Sequence, residues 1–319
     1  MLRIAVATEF TLAEKIIDLF EKTQFADKVE ALSAVELYPF REDQGLRFNN
    51  KAIPQIALDE VDWSEFDYVF FAGDVSKAPT MIQATDAGAI VLDLLGLCAN
   101  LPDVPVIVPG VNDDQIIEMR QRNIVALPHL QVTQAVLALA PLMQETMLNQ
   151  LVVTTLSPAS AVNEEAVGEL AGQTARLLNG IPLEDNQKRV AFDVYPAQNQ
   201  TLMVQLQKIF PQLDNVIFHT IQVPVFYGMG QMITALSDYE IDPNELVNQW
   251  ASNAFITYSE DKVLTPVTNG EQEMDAMPAL HISALTPLMN GVEFWTVADD
   301  QRFNLALMAI QLAEVAMQA

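Results

Sequence analysis

The stretch Leu2-Arg3-Ile4-Ala5-Val6-Ala7-Thr8-Glu9-Phe10-Thr11-Leu12-Ala13 changes period halfway along. Leu2 to Ala7 is short, apolar and partly β-branched, which suits a strand buried on both faces. Leu12, Ile16, Ile17, Leu19 and Phe20 then recur at helical spacing, so a helix follows. The alternation repeats downstream. Tyr68-Val69-Phe70-Phe71-Ala72 is a second buried strand, ended by Gly73, with helical spacing from Lys77 to Ala87. Gly88-Ala89-Ile90-Val91-Leu92-Asp93 and Val104-Pro105-Val106-Ile107-Val108 read as two more strands, and Ile124-Val125-Ala126-Leu127 leads into Pro128. Between them, Asn112 to Gln121 is a short helix with an asparagine cap and two aspartates in its first turn. Strands that alternate with helices and run continuously apolar predict a parallel sheet covered on both faces, the doubly wound α/β architecture.

After Pro128 the pattern changes. Val132 to Leu148 is a long apolar helix, and the more polar segments Asn163 to Leu178 and Asp242 to Asn253 are also helical. The last has Asp242 as cap, Pro243 at the first helical position and Glu245 at the third. Val152 to Leu156, Val190 to Tyr195 and Val216 to Val225 are rich in β-branched and aromatic residues and predict strands. This half reads as α+β with a largely antiparallel sheet, closed by an apolar helix from Arg302 to Met317.

With 319 residues, half of them hydrophobic, the chain can bury about two domain cores. No apolar run reaches the roughly 18 residues of a membrane span. Met1 to Val6 runs into a strand without a basic region and cleavage site, so no secretion signal is expected and the cytoplasm is the expected compartment. Cys98 is the only cysteine, which excludes an internal disulfide and a cysteine-rich zinc site, and no metal is expected. The net charge of −26 repels phosphate backbones and anionic lipid, so neither nucleic acid nor membrane is an expected partner. An acidic surface keeps a hydrophobic chain soluble; adaptation to a saline habitat is the other reading of that charge.

Several segments resemble the aspartate-semialdehyde dehydrogenase family. Trp295-Thr296-Val297-Ala298-Asp299-Asp300-Gln301-Arg302 followed by Ala309-Ile310-Gln311-Leu312-Ala313-Glu314 is similar to that family's final strand and helix. Val223-Pro224-Val225-Phe226-Tyr227-Gly228 is similar to the signature before its catalytic histidine. Pro102 to Pro109 with Val111-Asn112, and Phe71-Ala72-Gly73 with Ser76, match turns of its nucleotide domain. The resemblance implies a Rossmann-like domain over residues 1–127 rejoined by 302–319, and a catalytic and dimerisation domain over 128–301.

It also implies where the chemistry belongs. The family uses a cysteine nucleophile, a histidine base, NADP to take the hydride, and arginines to hold the substrate's charges. The family's Asn-Pro-Asn-Cys corresponds to Leu127-Pro128-His129-Leu130, so Leu130 stands in the place of the nucleophile. Leucine has no lone pair and cannot form a thioester. Met229 stands where the base should follow Gly228, and a thioether cannot accept a proton. Ala99 and His281 correspond to substrate-binding arginines and Gln205 to a glutamate, which removes the bidentate guanidinium contacts. Cys98 is no substitute, because its apolar context raises its pKa. His129, His219 and His281 are expected to be structural or surface residues.

The family's glycine-rich first turn becomes Ala7-Thr8-Glu9-Phe10-Thr11-Leu12-Ala13, with a bulky ring and a carboxylate at the pyrophosphate's helix N-terminus. No cofactor is therefore expected, and NADP only if a vestigial seat of Thr8, Phe10, Thr11, Leu12, Gly73 and Ser76 still binds it. The losses fall together on nucleophile, base, substrate clamps and cofactor loop while scaffold segments persist. The resemblance is thus to the family's non-catalytic upstream-gene (Usg-type) members. It implies a homodimer that works by interaction or as a scaffold, with another protein, such as an active relative, as a further partner. Two other functions stay open here: a divergent NAD(P)-dependent semialdehyde dehydrogenase relying on His129, and a nucleotide or ligand sensor in the old cleft.

Overall fold

The computed structural model describes residues 2–41, 44–198, 201–272 and 276–319, so Met1 lies outside the described residues. The chain divides into two compact units. One comprises Met1–Thr133, Val204–Ile209 and Leu305–Ala319, and the other Gln134–Met203 and Phe210–Asn304.

In the first unit the expected alternation is present: β1 (Leu2–Thr8), α1 (Phe10–Phe20), β2 (Val29–Glu36), β3 (Gln55–Ala57), β4 (Tyr68–Phe71), α2 (Ala78–Asp86), β5 (Ile90–Asp93) and β6 (Ile124–Ala126). All five pairings are parallel, in the order β3-β2-β1-β4-β5-β6. The chain leaves β1 toward β2 and returns past it to β4, so the topological switch lies at the β1–β4 boundary. Ile4, Ala5, Val6 and Ala7 are fully buried, as strands covered on both faces must be. Phe20 anchors α1 to the sheet, edge-on to Phe25 at 4.8 Å and to Phe70 at 6.3 Å.

The second unit holds α3 (Leu130–Glu145), whose first residues belong to the first unit, then β7 (Leu148–Ser157), α4 (Glu164–Leu178), β8 (Tyr195–Ala197), and α5 (Leu202–Ile209), most of which again belongs to the first. It continues with β9 (Val216–Gln222), β10 (Met229–Ser237), α6 (Pro243–Ser252), β11 (Ile256–Ser259), α7 (Pro266–Gln272), β12 (Leu280–Leu288) and β13 (Gly291–Ala298). Its seven strands lie in the order β8-β9-β7-β10-β13-β12-β11, antiparallel except for β9–β7 and β12–β11. Alternation along the strands separates two faces. The inner face carries Leu151, Val153, Ile233, Ala235 and Phe294, all fully buried. Residues of α3 and α6 cover it: the Trp250 indole packs 5.0 Å from Phe294 and donates its Nε1–H to the Ala138 carbonyl at 2.9 Å, while Gln134 Nε2 donates to Thr296 Oγ1 at 2.9 Å.

The closing helix α8 (Met308–Ala316) returns to the first unit, packing on α1 and β5, with Tyr68 Oη donating to the Ala316 carbonyl at 3.4 Å. The preceding Arg302–Leu307 winds as a π-helix rather than continuing one α-helix from Arg302. There Asn304 N–H reaches five residues back to the Asp299 carbonyl, and the Asp299 carboxylate takes the amides of Gln301 and Arg302.

Three other expectations need correction. Val104–Val108 is not a strand: Pro105 has no N–H to give, and only an isolated bridge joins Val106 to Ala126. Asn112 does not cap the following turn, which is 3₁₀ over Asp113–Gln121; its side chain instead accepts from Val108 N–H at 2.8 Å and donates to the Val106 carbonyl at 2.9 Å. Val190–Tyr195 is strand only from Tyr195, because Phe192 takes a left-handed φ of 60° that breaks any ladder.

One loop positions the segment before α3. Gly96 adopts φ +66, and a Cβ there would stand 2.9 Å from the Leu127 carbonyl oxygen, so the turn after β5 closes against that backbone only with glycine. The turn is gathered by Asp93, fully buried at the end of β5, whose Oδ2 accepts from Cys98 N–H at 2.6 Å. Burial raises the Asp93 carboxyl to about 6 against the pull of the amides of Cys98, Leu97, Leu95 and Gly96. Its Oδ1 has no hydrogen-bond partner among the described residues, so the buried charge is only partly compensated.

Two outcomes are expected. Trp250→Ala should cost about 3–5 kcal/mol in urea unfolding, and Trp250→Phe, which keeps most of the packing but leaves the Ala138 carbonyl without the indole, about 1–2 kcal/mol. The raised Asp93 pKa means that the fold binds its proton more tightly than the unfolded chain does. That stabilisation is complete below pH ~4 and lost as pH rises through about 6. Relative to Asp93→Asn, the wild type should therefore lose roughly 3 kcal/mol of unfolding free energy between pH 4 and 7.5, a difference read from paired denaturation curves.

Candidate functional site

The residues expected at the reactive positions begin at the head of α3. Leu130 is its first residue and is nearly fully buried. His129 precedes it, and its backbone N–H is held by Gln205 Oε1 from α5 at 2.7 Å. Gln205 is itself buried, so this amide is spent on the orphan donors of a helix start rather than presented to solvent. Lys208, one turn further along α5, donates to the carbonyls of Leu101 and Val104. The two side chains tie α5 to the 94–104 loop and the 127–130 turn, and Ala99 is fully buried within that loop. Ala99, His129, Leu130 and Gln205 are thus brought together in the first unit. Among them only His129 is titratable.

His129 is poorly equipped for acid–base work. Burial pulls its imidazole down to about 4, so it is neutral at pH 7. Its Nδ1 accepts from Gln131 N–H at 3.3 Å, which leaves the single ring proton on Nε2. Cys98 is no better placed as a nucleophile. Burial, and then the charge of Asp93, push its thiol up to about 11, so it carries no useful thiolate fraction at neutral pH.

Met229 and His281 lie in the second unit. Met229 opens β10, fully buried, and pairs with Ala298; His281 lies on β12 opposite Val297, one residue before Ala298 on the intervening β13. Neighbouring positions on a strand point to opposite faces, so the two side chains are on different sides of the sheet. The segment 223–228 before Met229 is held by a residue that spacing does not single out. Asp300 is fully buried, with Oδ1 accepting from Gly228 N–H and Oδ2 from Ser160 Oγ, both at 2.6 Å. Gln134, also buried, donates to the Met229 carbonyl at 3.2 Å and accepts from Asn304 Nδ2 at 3.0 Å. Neither partner set was foreseeable from local pattern, although the Asp299-Asp300 pair inside an apolar run is a signal of buried carboxylate work.

At the switch point, Thr8 is buried and its Oγ1 donates to the Glu9 carbonyl at 2.9 Å. Glu9 precedes α1 in extended conformation and makes no side-chain cap. The Phe10 ring stands edge-on to Phe40 at 5.3 Å. Thr11 and Leu12 follow in the first turn of α1. After β4, a Cβ on Gly73 would meet the Phe71 ring and the Lys77 Cβ at 2.9 Å, so the chain is tightly folded there. Ser76 N–H donates to Asp74 Oδ1 at 2.6 Å and Tyr38 Oη to Asp74 Oδ2 at 2.9 Å; hydrogen bonds from Ser76 and Tyr38 keep the Asp74 carboxyl below its usual range. The Lys77 ammonium lies 5.1 Å over the Tyr38 ring. Among the described residues, no group of three or more His, Cys, Asp or Glu is arranged to hold a metal, and no helix is long and apolar enough to cross a membrane.

No protein-family model matches the chain. A USG-1 protein homolog from Haemophilus influenzae is 52% identical over 314 residues, covering 98% of this chain and 96% of that one. An aspartate-semialdehyde dehydrogenase from Vibrio mimicus is 30% identical over 253 residues, or 74% and 79% of the two chains. Among solved structures, aspartate semialdehyde dehydrogenase II from Vibrio cholerae superposes with a TM-score of 0.89 at 26% identity, covering 100% of this chain and 99% of that one. Near-complete coverage at these identities, together with the shared fold, means that the chain belongs to the aspartate-semialdehyde dehydrogenase family, among its USG-1 homologues.

Proposed function

We propose that this chain is a non-catalytic member of its family that acts by protein association, as a homodimer and scaffold. The observation that carries the reading is chemical. The positions assigned to nucleophile and base hold Leu130, which has no lone pair to form a thioester, and Met229, whose thioether cannot accept a proton, and both are buried. The nearby alternatives are closed by their surroundings: His129 has its Nδ1 lone pair engaged, and Cys98 is a protonated thiol.

The cofactor seat supports the same reading. A dinucleotide needs a bare backbone turn and a positive helix end for its pyrophosphate. The corresponding turn carries Phe10, packed on Phe40, and the carboxylates of Glu9 and Asp74 add negative charge, which supports the loss of that seat. The residues present do not fit NADP.

The association surface is the outer face of the seven-stranded sheet. Val152, Thr154 and Leu156 of β7 lie in register with Ile217, His219 and Ile221 of β9 on one side, and β10 contributes Met232 and Thr234 opposite Thr154 and Val152. Ile217 and Met232 are 38% and 37% exposed, so a flat apolar strip is available for burial. A two-fold contact needs one self-complementary patch, and a regular sheet face supplies it.

Purified protein supplied with aspartate semialdehyde, phosphate and NADP should give no turnover above a protein-free blank. Calorimetric titration with NADP(H) should give no saturable heat. Steady NADPH formation lost on substitution of His129 would replace this reading with the divergent-enzyme one. In sedimentation equilibrium the chain should run at twice its 35.3 kDa. A double variant Ile217→Lys, Met232→Lys should run as a monomer with unchanged circular dichroism, whereas a monomeric wild type would remove the homodimer from the proposal.

A further inference from the structure

The second unit contains a small recess that is separate from the emptied reactive positions. Its cavity volume is about 210 Å³. An apolar cavity of roughly 150 Å³ already accepts benzene, so this one has room for a ligand of somewhat more than six heavy atoms. The floor is formed by Ala159, Ala166, Leu170, Val190 and Val223. Ala159 and Leu170 belong with Ala191 to a satellite hydrophobic cluster whose packing leaves this space because two of the floor positions carry only a methyl group. The rim is polar: Glu169, Lys188, Asp193, Tyr195 and Gln222.

The rim groups are fixed, and fixed with capacity to spare. Gln173 of α4, only 2% exposed, spans the two sides of the rim: its Nε2 donates to Glu169 Oε1 at 3.0 Å and to the Lys188 carbonyl at 2.8 Å, while its Oε1 accepts from Val190 N–H at 2.8 Å. Both hydrogen bonds to Glu169 fall on Oε1, from Gln173 and Gln187, and its Oε2 accepts none among the described residues. Asp193 is occupied in holding the Tyr195 hydroxyl at 3.0 Å. The Tyr195 ring in turn holds the Lys188 ammonium at 4.3 Å from its centroid. In a chain with 42 acidic and 16 basic residues, Lys188 forms no ion pair with a carboxylate among the described residues. A cation parked on an aromatic face and an acceptor oxygen, both on the rim of a recess with an apolar floor, are the recognition set for a small molecule that carries both charges at one end and an apolar group at the other.

We propose that this recess binds a free α-amino acid with a small apolar side chain, its carboxylate on Lys188, its ammonium on Glu169 Oε2, and its side chain on the alanine-lined floor. None of the residues that line the recess belongs to the proposed association strip or to the reactive positions, so its test stands apart from theirs. Calorimetric titration of the intact protein with L-valine, L-leucine and L-methionine should give saturable one-site binding for at least one of them at millimolar concentration. Isobutylamine and isovalerate, which are valine without its carboxylate and without its ammonium, should bind at least about tenfold more weakly, the loss of one charge-assisted contact. Lys188→Met and Glu169→Gln, both at exposed positions, should each weaken binding to a similar degree while leaving the melting temperature of the ligand-free protein unchanged. No heat with any of the three amino acids would overturn the assignment. So would binding that survives both substitutions, or equal binding of the amine and the acid alone.

Discussion

The central strands β1, β4 and β5 of the first unit's parallel sheet are buried on both faces, and that constraint orders everything else. Each of its central strands must be apolar on both sides, which leaves strand interiors no room for reactive groups. Chemistry in such a sheet can stand only at the strand ends and in the turns that follow them. In this chain those ends hold Thr8-Glu9-Phe10 after β1, Gly73-Asp74 after β4 and the Asp93–Ala99 turn after β5. The interior pattern is what a fold must keep, and the ends are what a function must keep. Here the interiors are buried and regular, while at the ends Thr8, Asp74 and Asp93 bond to nearby backbone and Phe10 packs on Phe40.

The same division explains what was legible in the sequence. The strands β1, β4 and β5 and helices α1, α2, α4 and α6 were readable because burial on one or two faces imposes a period, and because Asn163 and Asp242 do cap their helices. Val104–Val108 looked like a strand for its composition, but Pro105 removed a ladder donor and Asn112 took over two backbone groups from four and six residues away. Val190–Tyr195 carried the right residue types, yet Phe192 turns left-handed, which composition does not report. The π-helix at Arg302–Leu307 depends on a carboxylate catching two amides, again invisible to periodicity. Strand β2 was missed because its first residues, Val29 to Ala31, are solvent-facing and break the apolar run.

For the site, identity was readable and role was not. That Leu130 carries no lone pair and Met229 no basic site could be read from the residue type alone. What Gln205, Asp300 and Gln134 do instead could not, because their partners lie 76, 72 and 95 residues away in sequence. These buried amides and carboxylates now serve backbone groups, and each is satisfied by a donor or acceptor of opposite kind. Buried polar groups of this sort are costly to leave unpaired, which is reason enough for the fold to keep each of them paired.

The discontinuous make-up of the first unit has a consequence for how the protein is made. Its helix α8, which covers α1 and β5, follows the whole of the second unit's sequence along the chain. During synthesis the sheet of the first unit therefore emerges with one of its coverings still unwritten. Apolar surface must stay uncovered, or be shielded by a chaperone, while the intervening polypeptide is translated. In a nascent chain of this design the first unit cannot complete its fold until the last helix has left the ribosome.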